Sequence, residues 1–484
     1  MSTAVRARKV TRVIVAAALA LVVLLVSMAM VVPVENAQAL ECRNRKAKNI
    51  IVMISDGCGY NQIEATNYYE AGKKKAQEYE RFPVRLGMST YEVEDIDPDP
   101  NTKVPKILGY NPARAWSEFE YVSSHPPKGD GYTDSASAAT AMSTGTKTYN
   151  GYIGKDIDGN SLLHIAQRAE ELGMSTGVVT SVELSHATPA GFVAHNVSRN
   201  NYESIAKEMI NDSATDVIMG CGNPWFDNDG NAITTPSNFK YVGGQATWDA
   251  LVAGTAGGSV DADHNGKLDD TWKLVQTRDE FKALMKGRTP KRVCGVPQVY
   301  ETLQQARSGD GKAAPYVVPL NQRVPTLEEM TRGALNVLDN DRDGFFLMIE
   351  GGAVDWASHA SQSGRMIEEE MDFNDSVDAV IDWVRRKSNW NETLLIVTGD
   401  HECGYLCGPG SKSAQSMQPI VNNGKGVLPG MEWNSGDHTN LLVPLFAKGS
   451  ASYALYGYAD EIDPVRGRYI DNTEIAEMIF RLLN

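Results

Sequence analysis

Short, almost wholly apolar runs recur along the chain, and several end in an acidic or polar residue. Lys48-Asn49-Ile50-Ile51-Val52-Met53-Ile54 leads into Ser55-Asp56-Gly57. Residues 175–181 feed a polar turn, Leu184 to Pro189, and residues 216–220 form another apolar run. Residues 345–349 meet Glu350, and residues 394–398 meet Gly399-Asp400-His401. Near the end, Gly436-Asp437-His438-Thr439 precedes the apolar stretch 441–446. Runs of this length without alternation predict strands buried on both faces, as in a parallel sheet. Between them the spacing changes to that of amphipathic helices, at 162–173, 326–338, 366–386 and about 473–483. The alternation predicts an α/β fold, a three-layer α/β/α sandwich around one large, mostly parallel sheet. In open sheets of this kind, ligands bind beyond the carboxyl ends of the strands. That is where Asp56, Glu350, Asp400 and His401 fall.

Residues 131–154 break the pattern. After Thr133-Asp134-Ser135, the run Ala136-Ser137-Ala138-Ala139-Thr140-Ala141 has almost no side-chain bulk. It predicts a helix able to press close against the sheet, with Asp134 or Ser135 as N-cap or first-turn residue. The N-terminus of such a helix favours an anion, so Ser135 is either a plain cap or a residue placed where phosphate is welcome. Arg199 can clamp an oxyanion with its planar fork or form a surface ion pair. Asp355 and His359, four apart, share one face of a helical turn and can grip one metal ion. Residues 92–114 are a loop rich in Pro and Asp. Residues 221–325 are polar and Gly-rich without a long period, and read as a cap- or crown-like insertion. Inside it, Asp261, Asp263, Asn265 and Asp269 with Gly266 resemble a calcium loop, although Trp272 stands where a bidentate Glu is usual. The alternative is an Asx-rich turn. Asp339 to Gly344 shows a similar pattern but runs straight into a strand, and reads as a polar turn.

The first 39 residues differ from the rest. Arg6, Arg8, Lys9 and Arg12 precede a nearly continuous apolar run over 13–32, and Ala37-Gln38-Ala39 follows. This predicts a signal peptide over 1–39, a catalytic domain over 40–484, and a periplasmic or secreted location without stable membrane association after cleavage. An uncleaved anchor is the alternative, since about 20 apolar residues can span a bilayer. The formal net charge of −15 becomes more negative once the leader is removed. No basic stripe remains for a nucleic acid. An acidic protein that handles an anionic substrate must concentrate positive charge locally, which metal ions do well. Of six cysteines, Cys403 and Cys407 lie close enough in sequence to pair, with zinc binding by the two as the lesser reading. Four of the eight histidines, His186, His359, His401 and His438, lie in the segments described above. The other four read as structural or surface residues. Carboxylates together with imidazoles suit zinc, and an all-oxygen set suits magnesium.

With these segments in order, the chain resembles the alkaline phosphatases. The matching stretches are IIVMISDG, TDSASAATAMSTGTKTYNG, SHATPAGFVAH with Ser198-Arg199, FFLMIEGGAVDWASHA, VTGDHECGY and the GDHT turn. The resemblance implies a phosphomonoesterase with Ser135 as nucleophile and a phosphoserine intermediate. It implies one zinc held by Asp355, His359 and His438, and a second by Asp56, Asp400 and His401. Magnesium would be held by Asp56, Thr188 and Glu350, and Arg199 would bind phosphate oxygens. It implies small phosphomonoester substrates and a homodimer. Two positions depart from common family patterns: His186 stands where some members carry an acid, and Trp356 where many carry a polar or basic residue that helps hold phosphate. The rival readings are a phosphodiesterase or sulfatase of the same superfamily, or an idle exported metal- or phosphate-binding protein. Ser135 lacks the C/S-x-P-x-R context of a sulfatase.

Overall fold

Seven consecutive buried residues, Asn49–Ser55, form β1, and the sheet extends from it on both sides. The computed structural model describes residues 47–95, 105–107, 109–125 and 131–484. The leader and Cys42 lie outside the described residues. In chain order the remaining strands of the main sheet are β2 (Val84–Ser89), β3 (Ser175–Glu183), β4 (Val217–Cys221), β5 (Lys273–Val275) and β6 (Val293–Gly295). They continue with β7 (Phe345–Gly351), β8 (Thr393–Gly399), β9 (Val443–Gly449), β10 (Glu461–Asp463) and β11 (Gly467–Asp471). Across the sheet the order is β10-β11-β2-β9-β8-β1-β7-β3-β4-β6-β5. Pairing is parallel except around β9, which runs against β8 and β2, and at β10, which runs against β11.

Helices cover both faces: α1 (Tyr60–Ala71), α2 (Ser135–Thr144), α3 (Ile165–Glu171), α4 (Ala187–Ala190), α5 (Leu327–Leu338), α6 (Ala353–His359), α7 (Ser363–Lys387) and α8 (Thr473–Leu483). Alternate residues of β1 point into different layers, as the two-residue repeat of a strand requires. Ile50, Val52 and Ile54 join a core with Ala139 of α2, Ile165 of α3 and Ile479 of α8. Ile51 and Met53 join a second core with Ile63 of α1, Met330 of α5 and Val377 of α7. This is the predicted α/β/α sandwich.

The ladder fixes where the acids emerge. Ser55 of β1 pairs with Gly351 of β7 and with Gly399 of β8, and Ile54 pairs with Glu350. Asp56, Glu350 and Asp400 therefore leave neighbouring strands at one level.

Two expectations need correction. Residues 221–325 are not an excursion from the core throughout, because β5 and β6 lie within them and complete one edge of the sheet. Strands of three residues are too short to leave a periodic signal. Cys403 and Cys407 are not paired: all five described cysteines are free and buried. Cys403 lies opposite His438 and Cys407 opposite Glu432, in two separate ladders.

The small residues of α2 serve close packing. Asp134 caps it by accepting from the backbone N–H of Ser137 at 2.9 Å, and Gly145 ends it at φ 76°. A Cβ on Gly191, which follows α4, would stand 2.6 Å from the Cβ of Ala139. There is no room for a larger side chain at either position. Overpacking of this kind costs about 1–3 kcal/mol. Ala139→Leu should therefore lower the melting temperature and reduce the activity of the adjacent site together; an unchanged thermal unfolding curve would contradict the close approach.

Candidate active site

Asp56 and Asp400 directly follow β1 and β8, Glu350 lies at the end of β7, and Ser135 opens α2. Asp56, Glu350, Asp400 and His401 are fully buried, and Asp355 is 5% exposed. Asp355 and His359 sit one turn apart on α6, and His438 reaches them from a short strand paired with Glu402-Cys403.

These residues form three groups. In the first, His359 Nε2 and His438 Nε2 lie 3.0 Å apart. Each is 3.4 Å from an oxygen of Asp355. Both Nδ1 atoms are committed elsewhere, to the carbonyl oxygens of Gly436 and Thr133, each at 2.8 Å. The two Nε2 lone pairs thus face each other, an arrangement that calls for a shared cation. In the second group, His401 Nε2 is 3.4 Å from Asp56, 3.3 Å from Asp400 and 3.3 Å from Ser135 Oγ. The third group brings together Asp56, His186 and Glu350.

Three observations fit these groups to metal ions. Both oxygens of Asp56, both of Glu350, one each of Asp355 and Asp400, and the Thr188 hydroxyl are buried without a hydrogen-bond partner. Buried polar atoms of this kind normally have one. Second, a tetrahedral site with bonds of about 2.0–2.1 Å separates its ligand atoms by roughly 3.3 Å, close to the spacings seen in the first two groups. Third, charge is unbalanced. Burial, then Asp400, Asp355 and Glu350, pushes Asp56 well above the usual carboxylate range. Burial raises Glu350 to about 7 and Asp400 to about 6. Burial also opposes ionisation of Asp355, but hydrogen bonding and charge from His438 hold it below the usual range. His438 rises to about 9 against its own burial, because of Asp355.

Ser135, 1% exposed, is the first residue of α2. Arg199 donates from Nη1 to Asp134 at 2.9 Å and from Nη2 to His186 Nε2 at 3.2 Å. Burial and then Arg199 lower His186 to about 3. Trp356 meets the His186 ring at 5.8 Å and 64°. Ser135, Arg199, Trp356, His359 and His438 open onto one cleft of about 540 Å3.

All the residues expected at the site are thus gathered near one edge. The remaining histidines are elsewhere: His164 stacks on His195 at 4.4 Å, and His125 bonds Glu94 at 2.7 Å. The calcium-loop expectation keeps its place in the chain but changes in its residues. Among the acids of the loop, Asp270 rather than Asp269 groups with Asp261 and Asp263. Asp261 already accepts from the loop N–H groups of Asn265 and Gly266, and Asp263 pairs with Lys291. The loop satisfies its own carboxylates, as an Asx-rich turn does. Three residues escaped the sequence reading. Asp134 appeared there only as a cap, with no hint that it holds Arg199. Cys403 lies within the Asp355, His359 and His438 group. Gln305 lines the cleft from residues 221–325, where no motif marks it.

Fold and site together define a metal-binding hydrolase for an anionic substrate. A family model described as alkaline phosphatase matches residues 114–428, and the chain belongs to that family. It is 28% identical to alkaline phosphatase 3 of Bacillus subtilis, over 93% of this chain and 92% of that one. It is also 28% identical to the alkaline phosphatase of Escherichia coli, over 87% and 85% of the two chains. The solved alkaline phosphatase of the Antarctic bacterium TAB5 shares the fold, with a TM-score of 0.58 at 24% identity over 91% of this chain and 98% of that one. The Thermus thermophilus enzyme does so with a TM-score of 0.59 at 21% identity, over 90% and 91%. The chain is a phosphatase.

Removing metal should expose the charge imbalance. The raised carboxyls of Asp56, Glu350 and Asp400 cost stability as pH climbs above the ordinary carboxylate range, through about 6 and 7 for the last two. His438 contributes stability below the ordinary imidazole value and loses it toward about pH 9. His186 and His401, both lowered, act the opposite way, costing stability as pH falls below the ordinary imidazole value. Four groups thus act against folding as pH rises, and two as it falls. Chelation should lower the melting temperature more at pH 8 than at pH 5; equal shifts at both would contradict the burial of uncompensated carboxylates.

Proposed function

We propose that this protein hydrolyses phosphate monoesters to an alcohol and inorganic phosphate, with Ser135 as nucleophile and a phosphoserine intermediate. The reading rests above all on Ser135. Its Oγ stands at a helix N-terminus, 3.3 Å from His401 Nε2, on the same cleft as Arg199. Asp355, His359 and His438 would hold one zinc, and Asp56, Asp400 and His401 a second. Asp56, Glu350 and Thr188 would hold magnesium, with His186 beside it. When bound, such ions supply Lewis acidity, lowering the pKa of a hydroxyl or water and neutralising phosphate charge.

The chain's own groups then act in sequence. Arg199 and the free N–H groups that open α2 take the non-bridging phosphate oxygens. Asp134 keeps the guanidinium pointed at the cleft. Ser135 Oγ, having lost its proton, bonds to phosphorus as the bond to the alcohol oxygen breaks, and the alcohol leaves protonated. Water then cleaves the phosphoserine, restoring the Ser135 hydroxyl and releasing phosphate. Export through the leader and assembly as a homodimer belong to the same reading, resting on the leader pattern and the family resemblance.

Turnover of a chromogenic phosphomonoester tests the nucleophile directly. Ser135→Ala should abolish turnover while leaving metal content and thermal unfolding unchanged; full activity in this variant would overturn the mechanism. A charged hydrogen bond contributes about 1.5–3 kcal/mol, so Arg199→Ala should lower kcat/KM at least roughly tenfold. Trp356 offers no charge to phosphate. Trp356→Lys should therefore tighten inhibition by inorganic phosphate, and an unchanged inhibition constant would reject that role for the position.

A further inference from the structure

A second cavity, of about 170 Å3, lies beyond the carboxyl ends of β2 and β11 and shares no lining residue with the cleft around Ser135. Ser89 ends β2, Asp471 ends β11, and the two are paired across the ladder. The cavity is therefore on the same edge of the sheet as the phosphatase site, among the strands on the far side of β9 from it. Tyr91, Tyr110 and Tyr469 are its aromatic walls, the last two meeting edge to face at 5.7 Å and 86°. Both are held in place through their hydroxyls, Tyr110 by Asp463 at 2.8 Å and Tyr469 by Glu461.

The protein already houses an ammonium group beside this cavity. Lys147 Nζ sits 3.8 Å from the centroid of Tyr91 and 3.0 Å from Asp471. It also donates to Asn472 at 2.7 Å and to the Tyr91 carbonyl at 2.6 Å. That contact answers the charge of Asp471. Asp460, Glu461 and Glu474 also line the cavity, and among the described residues no lysine or arginine pairs with any of them. Burial, followed by the charges of Asp471 and Asp460, raises Glu474 to about 7. These acids do not make one of the tight groups, with ligand atoms within 4.8 Å of one another, that the metal-type clusters form. A bare divalent ion is a poor match for them. A cation whose charge is spread over a methyl or methylene shell matches both the carboxylates and the ring faces.

We propose that this cavity binds an organic ammonium cation, between the rings of Tyr91, Tyr110 and Tyr469 and the carboxylates of Glu461 and Glu474. Nothing in this depends on the phosphatase mechanism. Isothermal titration of the metal-loaded protein at pH 8 and low salt, with choline and with 1,4-diaminobutane in separate runs, tests it. A preference for choline would assign recognition mainly to the rings, and a preference for the diamine mainly to the carboxylates. One-to-one binding of at least one probe is expected, weakened roughly tenfold, about 1.4 kcal/mol, in Glu461→Gln and in Glu474→Gln. Phosphomonoester turnover should be the same in both variants as in the parent. Glu474→Gln keeps an acceptor for the Asp471 N–H, bonded at 2.8 Å, and Glu461→Gln keeps one for the Tyr469 hydroxyl, so neither change leaves a donor unpaired. Absence of binding by both probes up to about 10 mM, an affinity weaker than about 3 kcal/mol, would overturn the proposal. So would an affinity unchanged in both variants.

Discussion

Four carboxylates buried together at one edge of the sheet are the constraint on which this structure turns. Asp56, Glu350 and Asp400 are fully buried and Asp355 nearly so. Removing each ionised group from water costs several kcal/mol, and their mutual repulsion adds to that. The chain's own positive charge does not cancel it. Arg199 is already paired with Asp134, and His438 pairs directly with Asp355. The acids stay together because the ladder leaves them no choice: parallel pairing of β1 with β7 and β8 carries Asp56, Glu350 and Asp400 to one level of one edge. The strand cores beneath are buried on both faces, and a one-residue slip would move every apolar side chain from one packed layer into the other. Packing thus holds an electrostatic arrangement that would not persist alone, and positive ions complete it.

The opposite sign of charge is held back by equally specific means. A free guanidinium near so many acids would fall onto them. Asp134 prevents this, because its carboxylate accepts from Arg199 Nη1, from Gly151 N–H and from Ser137 N–H at once. Burial works against its ionisation, but Arg199 and these hydrogen bonds keep its carboxyl below the usual range. The same side chain caps α2 and so orients Ser135, the next residue. One carboxylate therefore sets both the helix that opens at Ser135 and the position of Arg199. The alanines behind Ser135 allow that helix to approach α4 closely enough for the pair to face the strand-end acids.

Much of this was legible in the sequence because the signals are local. An apolar run followed by an acid is visible at Asp56, Glu350 and Asp400, and the four-residue spacing of Asp355 and His359 is visible as a helical face. What sequence alone hides is partnership at a distance. Nothing near His438 says that it faces Asp355, or that the Thr133 carbonyl orients its ring. The two short edge strands, β5 and β6, carry too few residues to show a period, so the region around them reads as an insertion. α1 was missed because its sequence, YNQIEATNYYEA, has no apolar stripe, yet Ile63, Ala65 and Tyr68 are buried in it. Cys403 and Cys407 were close in number but are held in different ladders. The loop at 261–270 has calcium-loop spacing, but its own N–H groups and Lys291 occupy the carboxylates, which residue spacing cannot reveal.

The departure at His186 follows from the same balance of charges. Its Nε2 accepts from Arg199, so the neutral ring carries its proton on Nδ1, which is buried without a partner. Burial and the adjacent guanidinium keep the ring from gaining a second proton. With one nitrogen occupied and the other protonated, the imidazole has no lone pair to give a metal. While Arg199 holds Nε2, the Nδ1 N–H is the ring's only other polar group. Without His186, the oxygens of Asp56, Glu350 and Thr188 would be the donors left there, and such a set suits a hard cation such as magnesium better than zinc. Trp356, edge-on to the same ring, narrows the space in which His186 could turn and free its Nε2. His186, which stands where some family members carry an acid, thereby serves here as a prop for Arg199.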